Sequence, residues 1–330
     1  MAIDPFFARR LAPLRESTWS DIRDDPTHRA DFLEPLKGWR IPEDVEITEG
    51  RAAQPDGVGV RIYRGPRQGG ARPGLVWMHG GGFSSGSVDM CEAHVVAAEL
   101  ASRAGAVVVS VDYRLATGGV HYPVPLDDVT TAWRWLVAER ASLGIDGALF
   151  IGGASAGANL AAGAALRERD MGRVLPDAML LAYGVFHLPG PGGGHPAADS
   201  GELPPFLRGT AEAGMEIIRG YLGTLNAIPA YASPGSTDLR GMPRAAIVAA
   251  EYDELYASSA FFAAQLGDAG VGATTYLAKG MIHGHLNWGI GPELPEAEQT
   301  IQFFADQISG AVSASRRPAG GTVQRARAQA

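Results

Sequence analysis

The 330-residue chain carries 28 Lys and Arg against 36 Asp and Glu, a net charge of −8 that argues against a nucleic-acid footprint. With 46% hydrophobic and 19% charged residues it can bury a large core, yet no uninterrupted apolar run approaches the roughly 18 residues of a membrane span. A single cysteine, Cys91, excludes an internal disulfide and any Cys-rich zinc site.

The opening stretch MAIDPFFARRLAPLRE puts Asp4 and Pro5 where a signal peptide would begin its apolar run, so a cytoplasmic protein is expected. Residues 1–44 mix Phe6, Phe7, Trp19 and Trp39 with proline and charge, which fits an N-terminal cap segment of helices lying over the rest. Eight strands are then predicted, at 45–50, 58–63, 74–78, 106–111, 148–152, 178–183, 245–250 and 273–278. The first two follow each other closely and predict an antiparallel hairpin at one edge of the sheet. Helical patterns at 90–104, 127–142, 156–169, 255–269 and 294–309 separate the later strands. That alternation predicts an α/β fold, a mostly parallel eight-stranded sheet with helices on both faces. AVVVSV and AAIVAA are apolar at nearly every position and are expected as central strands. Residues 184–244 are too long for an ordinary connection and form a candidate lid inserted in a main domain at 45–309. The arginine-containing, acid-free stretch 310–330 reads as a disordered tail.

Lys37 and Lys279 are the only lysines, so Schiff-base chemistry has almost no candidates. No G-x-x-x-x-G-K-[ST] loop and no H-E-x-x-H helix occurs, nor does G-x-G-x-x-G follow a predicted strand. No cofactor and no metal is therefore expected. Two segments do match G-x-S-x-G, at Gly82 to Gly86 and at Gly153 to Gly157, a cheap match in a chain with 44 glycines. Context separates them. A strained turn that projects a nucleophilic serine needs a strand before it, a helix after it and small neighbours around it. Ser155 has ALFIGG before it, AGANLAAGAAL after it, and Ala154 and Ala156 at its sides. Ser84 is crowded by Phe83 and followed by the poor helix start SSGSVDM.

A serine hydroxyl needs a base, and the intermediate it forms needs donors for a negatively charged oxygen. His79-Gly80-Gly81-Gly82-Phe83 follows a strand directly, and its glycines let amides face inward. Gly81, Gly82 and Ala156 are the expected oxyanion donors. In chain order, acid and then base should follow the serine, each beyond a strand end. KGMIHGHLN offers His283, the choice because it stands first in the loop, and His285. AAIVAAEYDEL offers Asp253, the favoured acid, beside Glu251 and Glu254. Asp112, Arg114, Asp127 and Asp128 are read as structural braces. Phe83, Tyr183, Phe206, Met215 and Trp288 are candidates for a substrate pocket.

Taken in order, HGGGF at 79–83, DYRLA at 112–116, YPVPLDD at 122–128, GASAG at 153–157, EYDEL at 251–255 and MIHG at 281–284 resemble the hormone-sensitive-lipase-like branch of the α/β-hydrolases, the bacterial HGGG esterases. The resemblance covers roughly residues 40–309. It implies an α/β-hydrolase fold with a helical cap, Ser155, Asp253 and His283 as triad, and Gly81, Gly82 and Ala156 as oxyanion hole. By resemblance only, a homodimer is expected. The chain departs from the family at Ala154, where an acid or threonine is usual, at Glu254 in place of proline, at Ala257 in place of an aspartate, and at His285 in place of phenylalanine. The expected activity is hydrolysis of short-to-medium acyl carboxylic esters through an acyl-enzyme. The same machinery could cleave an amide, carbamate or lactone, and a non-catalytic small-molecule-binding protein on this scaffold is the reading from another class. Neither nucleic acid nor membrane is an expected partner.

Overall fold

A computed structural model describes residues 2–18, 21, 32–53, 57–191, 193–196, 198, 200–208 and 211–314. Trp19 and residues 315–330 of the expected tail lie outside them. The eight strands are β1 (Glu46–Ala52), β2 (Val58–Arg64), β3 (Gly74–Met78), β4 (Val107–Asp112), β5 (Leu149–Ala154), β6 (Ala178–Ala182), β7 (Arg244–Tyr252) and β8 (Ala273–Ile282), and they form one sheet in the order β1-β2-β4-β3-β5-β6-β7-β8. β2 runs antiparallel to both β1 and β4, while every other pair is parallel. The edge hairpin is where the close spacing of the first two runs put it. One expectation needs correcting: β3 and β5, not β7, hold the middle of the sheet, and β7 has only β8 outside it. The all-apolar AAIVAA run reports burial on both faces, which a strand one place from the edge already has.

Seven α-helices accompany the sheet among the described residues: α1 (Pro5–Leu11), α2 (Cys91–Ala104), α3 (Val124–Ala138), α4 (Ala156–Asp170), α5 (Ala211–Leu222), α6 (Tyr256–Asp268) and α7 (Pro295–Ala314). The last helix continues five residues into the stretch read from sequence as tail. Side chains of a strand alternate between faces, and this splits the core in two. From β3, Val76 and Met78 enter the layer under α3, α4 and α6, whereas Leu75 and Trp77 enter the layer under α2 and α7. Both layers are closed by residues such as Leu126, Leu160 and Phe262 on one side and Val96, Leu100 and Phe304 on the other.

The N-terminal residues join the second layer. Asp4 caps α1 by accepting from the Phe6 amide at 2.8 Å, and Pro5 supplies the first helical residue without wasting a donor. The Asp4 amide itself donates to the Gly280 carbonyl at 3.0 Å, which fastens this segment to β8. Phe32 packs edge-on against Phe206 at 5.3 Å and Trp288 at 5.1 Å, so that residues from the N-terminal segment, the insertion and the loop after β8 share one aromatic cluster. Within the insertion, α5 turns Ile218 and Tyr221 into the first layer. No helix among the described residues is long and apolar enough to cross a membrane.

Candidate active site

β3, β5, β7 and β8 all end on the same rim of the sheet, and the chemistry-bearing residues sit just beyond those ends. Ser155 occupies the turn between β5 and α4 with φ 54° and ψ −116°, a backbone conformation that non-glycine residues adopt at a cost of about 1–3 kcal/mol. The turn is this tight because Gly157 passes under β3: a Cβ there would lie 2.4 Å from the carbonyl oxygens of both Met78 and His79. The turn holds Ser155 at the N-terminus of α4, 9% exposed, with its hydroxyl directed at His283.

Ser155 Oγ lies 2.9 Å from His283 Nε2, and His283 Nδ1 lies 2.8 Å from Asp253 Oδ2. Asp253 Oδ1 is taken by the Leu255 amide at 2.8 Å, so the carboxylate is fixed by one bond to its own loop and presents only its other oxygen to the imidazole. The Asp253 side chain is 2% exposed, while the His283 side chain keeps 37% of its surface open. Burial pulls the His283 pKa down, but the charge and hydrogen bond of Asp253, joined by the charge of Glu92, outweigh it and leave the pKa above the ordinary histidine value.

The alternatives are placed elsewhere. Glu251 is fully buried in β7 and accepts from the Gly280 amide at 2.7 Å, tying β7 to β8. Glu254 is partly buried and does not meet the imidazole, and burial with the neighbouring Asp253 charge raises its pKa. His285 is fully buried against Thr300 Oγ1 at 3.0 Å, and burial pushes its pKa down to about 3, so it stays neutral. The four residues read as braces also lie off the reaction path. Arg114 grips Asp128 with a bidentate pair whose shortest contact is 2.7 Å, Arg167 pairs with Asp127, and Asp112 is exposed.

Above the serine, the loop after β3 is wound tightly. Gly81 has φ 108°, and a Cβ there would meet the Ser85 carbonyl oxygen at 2.1 Å, so only glycine fits. The Gly81 carbonyl is turned back to accept from the amides of Ser84 and Ser85. Among the described residues, the amides of Gly81 and Gly82 find no protein acceptor, and Ala156, first residue of α4, has none by its position in the helix. His79 stacks on Tyr113 at 4.4 Å and its Nδ1 contacts the Gly80 carbonyl at 2.7 Å, while the Tyr113 hydroxyl donates to the His79 carbonyl at 3.0 Å. The three amides of Gly81, Gly82 and Ala156 thus lack a partner among the described residues, two in the loop after β3 and one at the start of α4.

The pocket candidates divide. Phe83 is buried and stacked on Tyr221 at 3.8 Å, which seats the glycine loop against α5. Tyr183 is fully buried, with its ring 5.2 Å from both His283 and His285. Phe206 and Trp288 belong to the aromatic cluster around Phe32, where Trp288 also donates to the Phe32 carbonyl at 2.7 Å. All four rings are buried by packing with other protein groups. Met215 is half-buried on α5. The sequence reading passed over Ile217, which is 46% exposed on α5, with its nearest methyl 3.7 Å from where a Cβ of Gly82 would stand. It also passed over Glu92, a fully buried acid in the mostly apolar buried face of α2, which also holds Glu99. The signal for Glu92 was available: in CEAHVVAAELA a carboxylate falls on the apolar stripe of the helix. No cluster of three or more potential metal ligands occurs among the described residues.

Known proteins share this arrangement of chain. A family model described as an alpha/beta hydrolase fold matches residues 75–287. Carboxylesterase NlhH of Mycobacterium tuberculosis is 34% identical over 245 residues, 70% of this chain and 72% of its own. Esterase LipI of the same species is 32% identical over 258 residues, 73% of this chain and 75% of its own. Among solved structures, an esterase of Pyrobaculum calidifontis superposes with a TM-score of 0.72 at 31% identity, covering 94% of this chain and 99% of that one. Fold, ordered motifs and these likenesses agree, and the chain belongs to the α/β-hydrolase family, within its hormone-sensitive-lipase-like branch.

Proposed function

We propose that the protein is a serine carboxylesterase that hydrolyses short-to-medium acyl esters through a covalent acyl-enzyme. The observation that carries this reading is the unbroken line from Ser155 Oγ to His283 Nε2 at 2.9 Å and from His283 Nδ1 to Asp253 Oδ2 at 2.8 Å. The relatives named carboxylesterase and esterase support the same reaction class.

His283 accepts the Ser155 proton as Oγ attacks the ester carbonyl carbon. Asp253 keeps the proton of the neutral imidazole on Nδ1 and stabilises the imidazolium that forms. The carbonyl oxygen, now an anion, is held by the amides of Gly81, Gly82 and Ala156, each worth about 10²–10³ in rate when such donors are preorganised. Collapse of the intermediate breaks the bond to the alcohol oxygen, which leaves with the proton from His283. Water, deprotonated by the same imidazole, then attacks the acyl-serine and releases the acid. No step requires a metal or a redox group.

The N-terminal residues and the insertion at 184–244 act as the cap, with Ile217 and Met215 of α5 providing apolar surface beside the oxyanion loop. That placement favours neutral esters with apolar substituents. A fluorophosphonate should label Ser155, and matched p-nitrophenyl esters of increasing acyl length should be turned over far faster than the corresponding anilides. A protein that takes up the fluorophosphonate nowhere, or prefers the anilides, would require a different reading.

A further inference from the structure

Glu92 is a carboxylate that the steps above do not use. As an acid in the first turn of α2 it complements the helix dipole, but that role calls for no burial, and an exposed acid would fill it as well. Instead the side chain is 1% exposed, and both of its oxygens face the site. Oε1 accepts from the Gly80 amide at 2.6 Å, and Oε2 accepts from the Tyr183 hydroxyl at 2.9 Å. Its own backbone carbonyl accepts from Trp77 Nε1 at 2.8 Å, which pins the start of α2 to β3. A Cβ on Gly80 would lie 2.6 Å from Glu92 Oε1 and 3.0 Å from Ser155 Cβ, so the carboxylate stands one van der Waals layer behind the serine. A buried acid costs several kcal/mol unless donors surround it, and here the donors belong to the oxyanion loop and to the ring that packs on His283.

We propose that Glu92 is a positioning residue of this site: by holding the Gly80 amide it sets the direction of the Gly81 and Gly82 amides that follow, and through Tyr183 it fixes the imidazole of His283 from behind. The proposal rests on the esterase reading. The two peptide planes that meet at Gly80 are otherwise free to rotate, since glycine tolerates both signs of φ. Glu92 holds the plane that carries the Gly80 N–H, and His79 Nδ1, 2.7 Å from the Gly80 carbonyl, contacts the next plane, which carries the Gly81 N–H, so both are fixed. Tyr183 is held at φ 37°, uncommon for a non-glycine residue, and its hydroxyl bond to Glu92 is what secures the ring in that position.

The groups facing His283 are Asp253 from the loop after β7, Tyr183 from the end of β6, Ser155 from the turn after β5, neutral His285 from its own loop, and Glu92 from α2. Burial holds the Glu92 pKa above the ordinary carboxylate value, against the hydrogen bonds from Gly80, Tyr183 and Asn287 and the charge of His283, which favour the anion. As an anion Glu92 adds to Asp253 in favouring the imidazolium, which gives the positioning role a signature that packing alone would not produce.

Glu92→Gln keeps the shape and an acceptor for the Gly80 amide but removes the charge. On a short p-nitrophenyl ester, kcat should fall by about 10-fold with KM little changed, less than the ~10²–10³ expected for losing an oxyanion donor outright. The acid limb of kcat/KM should move to lower pH by a few tenths of a unit. Glu92→Ala should lower kcat further. Tyr183→Phe, which removes one donor and adds no bulk, should also lower kcat at constant KM, and it decides the matter if the Glu92 variants fail to fold. Wild-type kcat and an unmoved acid limb in Glu92→Gln would overturn the proposal, as would a loss of kcat accompanied only by a lower Tm and no shift of the limb. Fluorophosphonate labelling separates the two levels. An unlabelled wild-type protein would defeat the esterase reading, whereas a labelled Glu92→Gln protein with wild-type kinetics would defeat only the role of Glu92.

Discussion

Replacing Asp253 by Asn tests the site at the bond on which the others depend. In the native loop, Oδ1 accepts from the Leu255 amide at 2.8 Å and Oδ2 faces His283 Nδ1 at 2.8 Å. An asparagine can satisfy the Leu255 donor only with its carbonyl oxygen, so its amide NH2 must occupy the place of Oδ2. That group is a donor, and it forces Nδ1 to become the acceptor. The single proton of the neutral imidazole then moves to Nε2, where it points at Ser155 Oγ across 2.9 Å, and the ring can no longer take the serine proton. The geometry is retained while the tautomer is reversed. A loss of about 10⁴ in kcat is expected, the size seen when an equivalent aspartate is so replaced in the Ser-His-Asp template. At 1.36 kcal/mol per decade that is about 5.4 kcal/mol of transition-state stabilisation. The removed charge also lowers the imidazole pKa, so the loss should persist at pH 8 rather than be recovered by deprotonation. Steady-state hydrolysis of p-nitrophenyl acetate from pH 5 to 9, with the far-UV circular dichroism melt as control for folding, measures both effects. A folded Asp253→Asn protein within tenfold of wild type at pH 8 would refute the assignment of acid and base.

Wild-type activity should fall on acidification with a midpoint above the ordinary histidine value of about 6.5, because the His283 pKa is raised against burial by the Asp253 and Glu92 charges, and only the neutral ring acts as base; a pH–rate profile of kcat/KM checks this. The same raised pKa contributes folded-state stability that is fully present below the unfolded value and is lost as the pH rises through the folded one, which urea unfolding of wild type and Ser155→Ala at pH 5 and pH 8 would register. Ile217→Ala should open space beside Gly82 and shift the acyl-length profile toward longer chains, and Ile217→Trp should shift it toward acetate, both read from kcat/KM across a series of p-nitrophenyl esters. Gly157→Ala puts a Cβ 2.4 Å from the carbonyl oxygens of Met78 and His79, so the serine turn must move; activity should be lost and Tm lowered, with stability reduced by about 3 kcal/mol or more, as for other severe overpacking.

The legible part of this molecule is what local pattern controls. Eight strands and the five helices between them and after them were readable because parallel strands covered on both faces produce apolar runs, and because Gly and Asn or Asp mark where each run stops. The serine turn was legible for a related reason: Gly153 and Gly157 lack side chains because the end of β3 passes within contact of them, and that demand is written into residues flanking Ser155. His283 and Asp253 could be picked from neighbours because chain order along the rim restricts them to the ends of the last two strands. Strand order was less accessible, since β7 is as apolar as a central strand although it stands one place from the edge.

What local pattern could not convey is contact between distant segments, and the aromatic residues show why. From sequence, Phe206 and Trp288 could line a pocket or belong to the core, and Phe32, more than 170 residues earlier than either, packs edge-on against both. Nothing in the composition of a loop says whether its ring faces a ligand or another segment of the same chain. The buried acid follows the same logic from the opposite direction. Glu92 lies in a helix whose other buried positions are mostly apolar, and its partners Gly80 and Tyr183 are 12 and 91 residues away. A carboxylate placed there without donors would destabilise the fold, so its survival in the apolar stripe implies that donors converge on it. In this protein they converge from the glycine loop and from the ring behind His283, so the residue least explained by helix packing is explained by two donors distant in the chain.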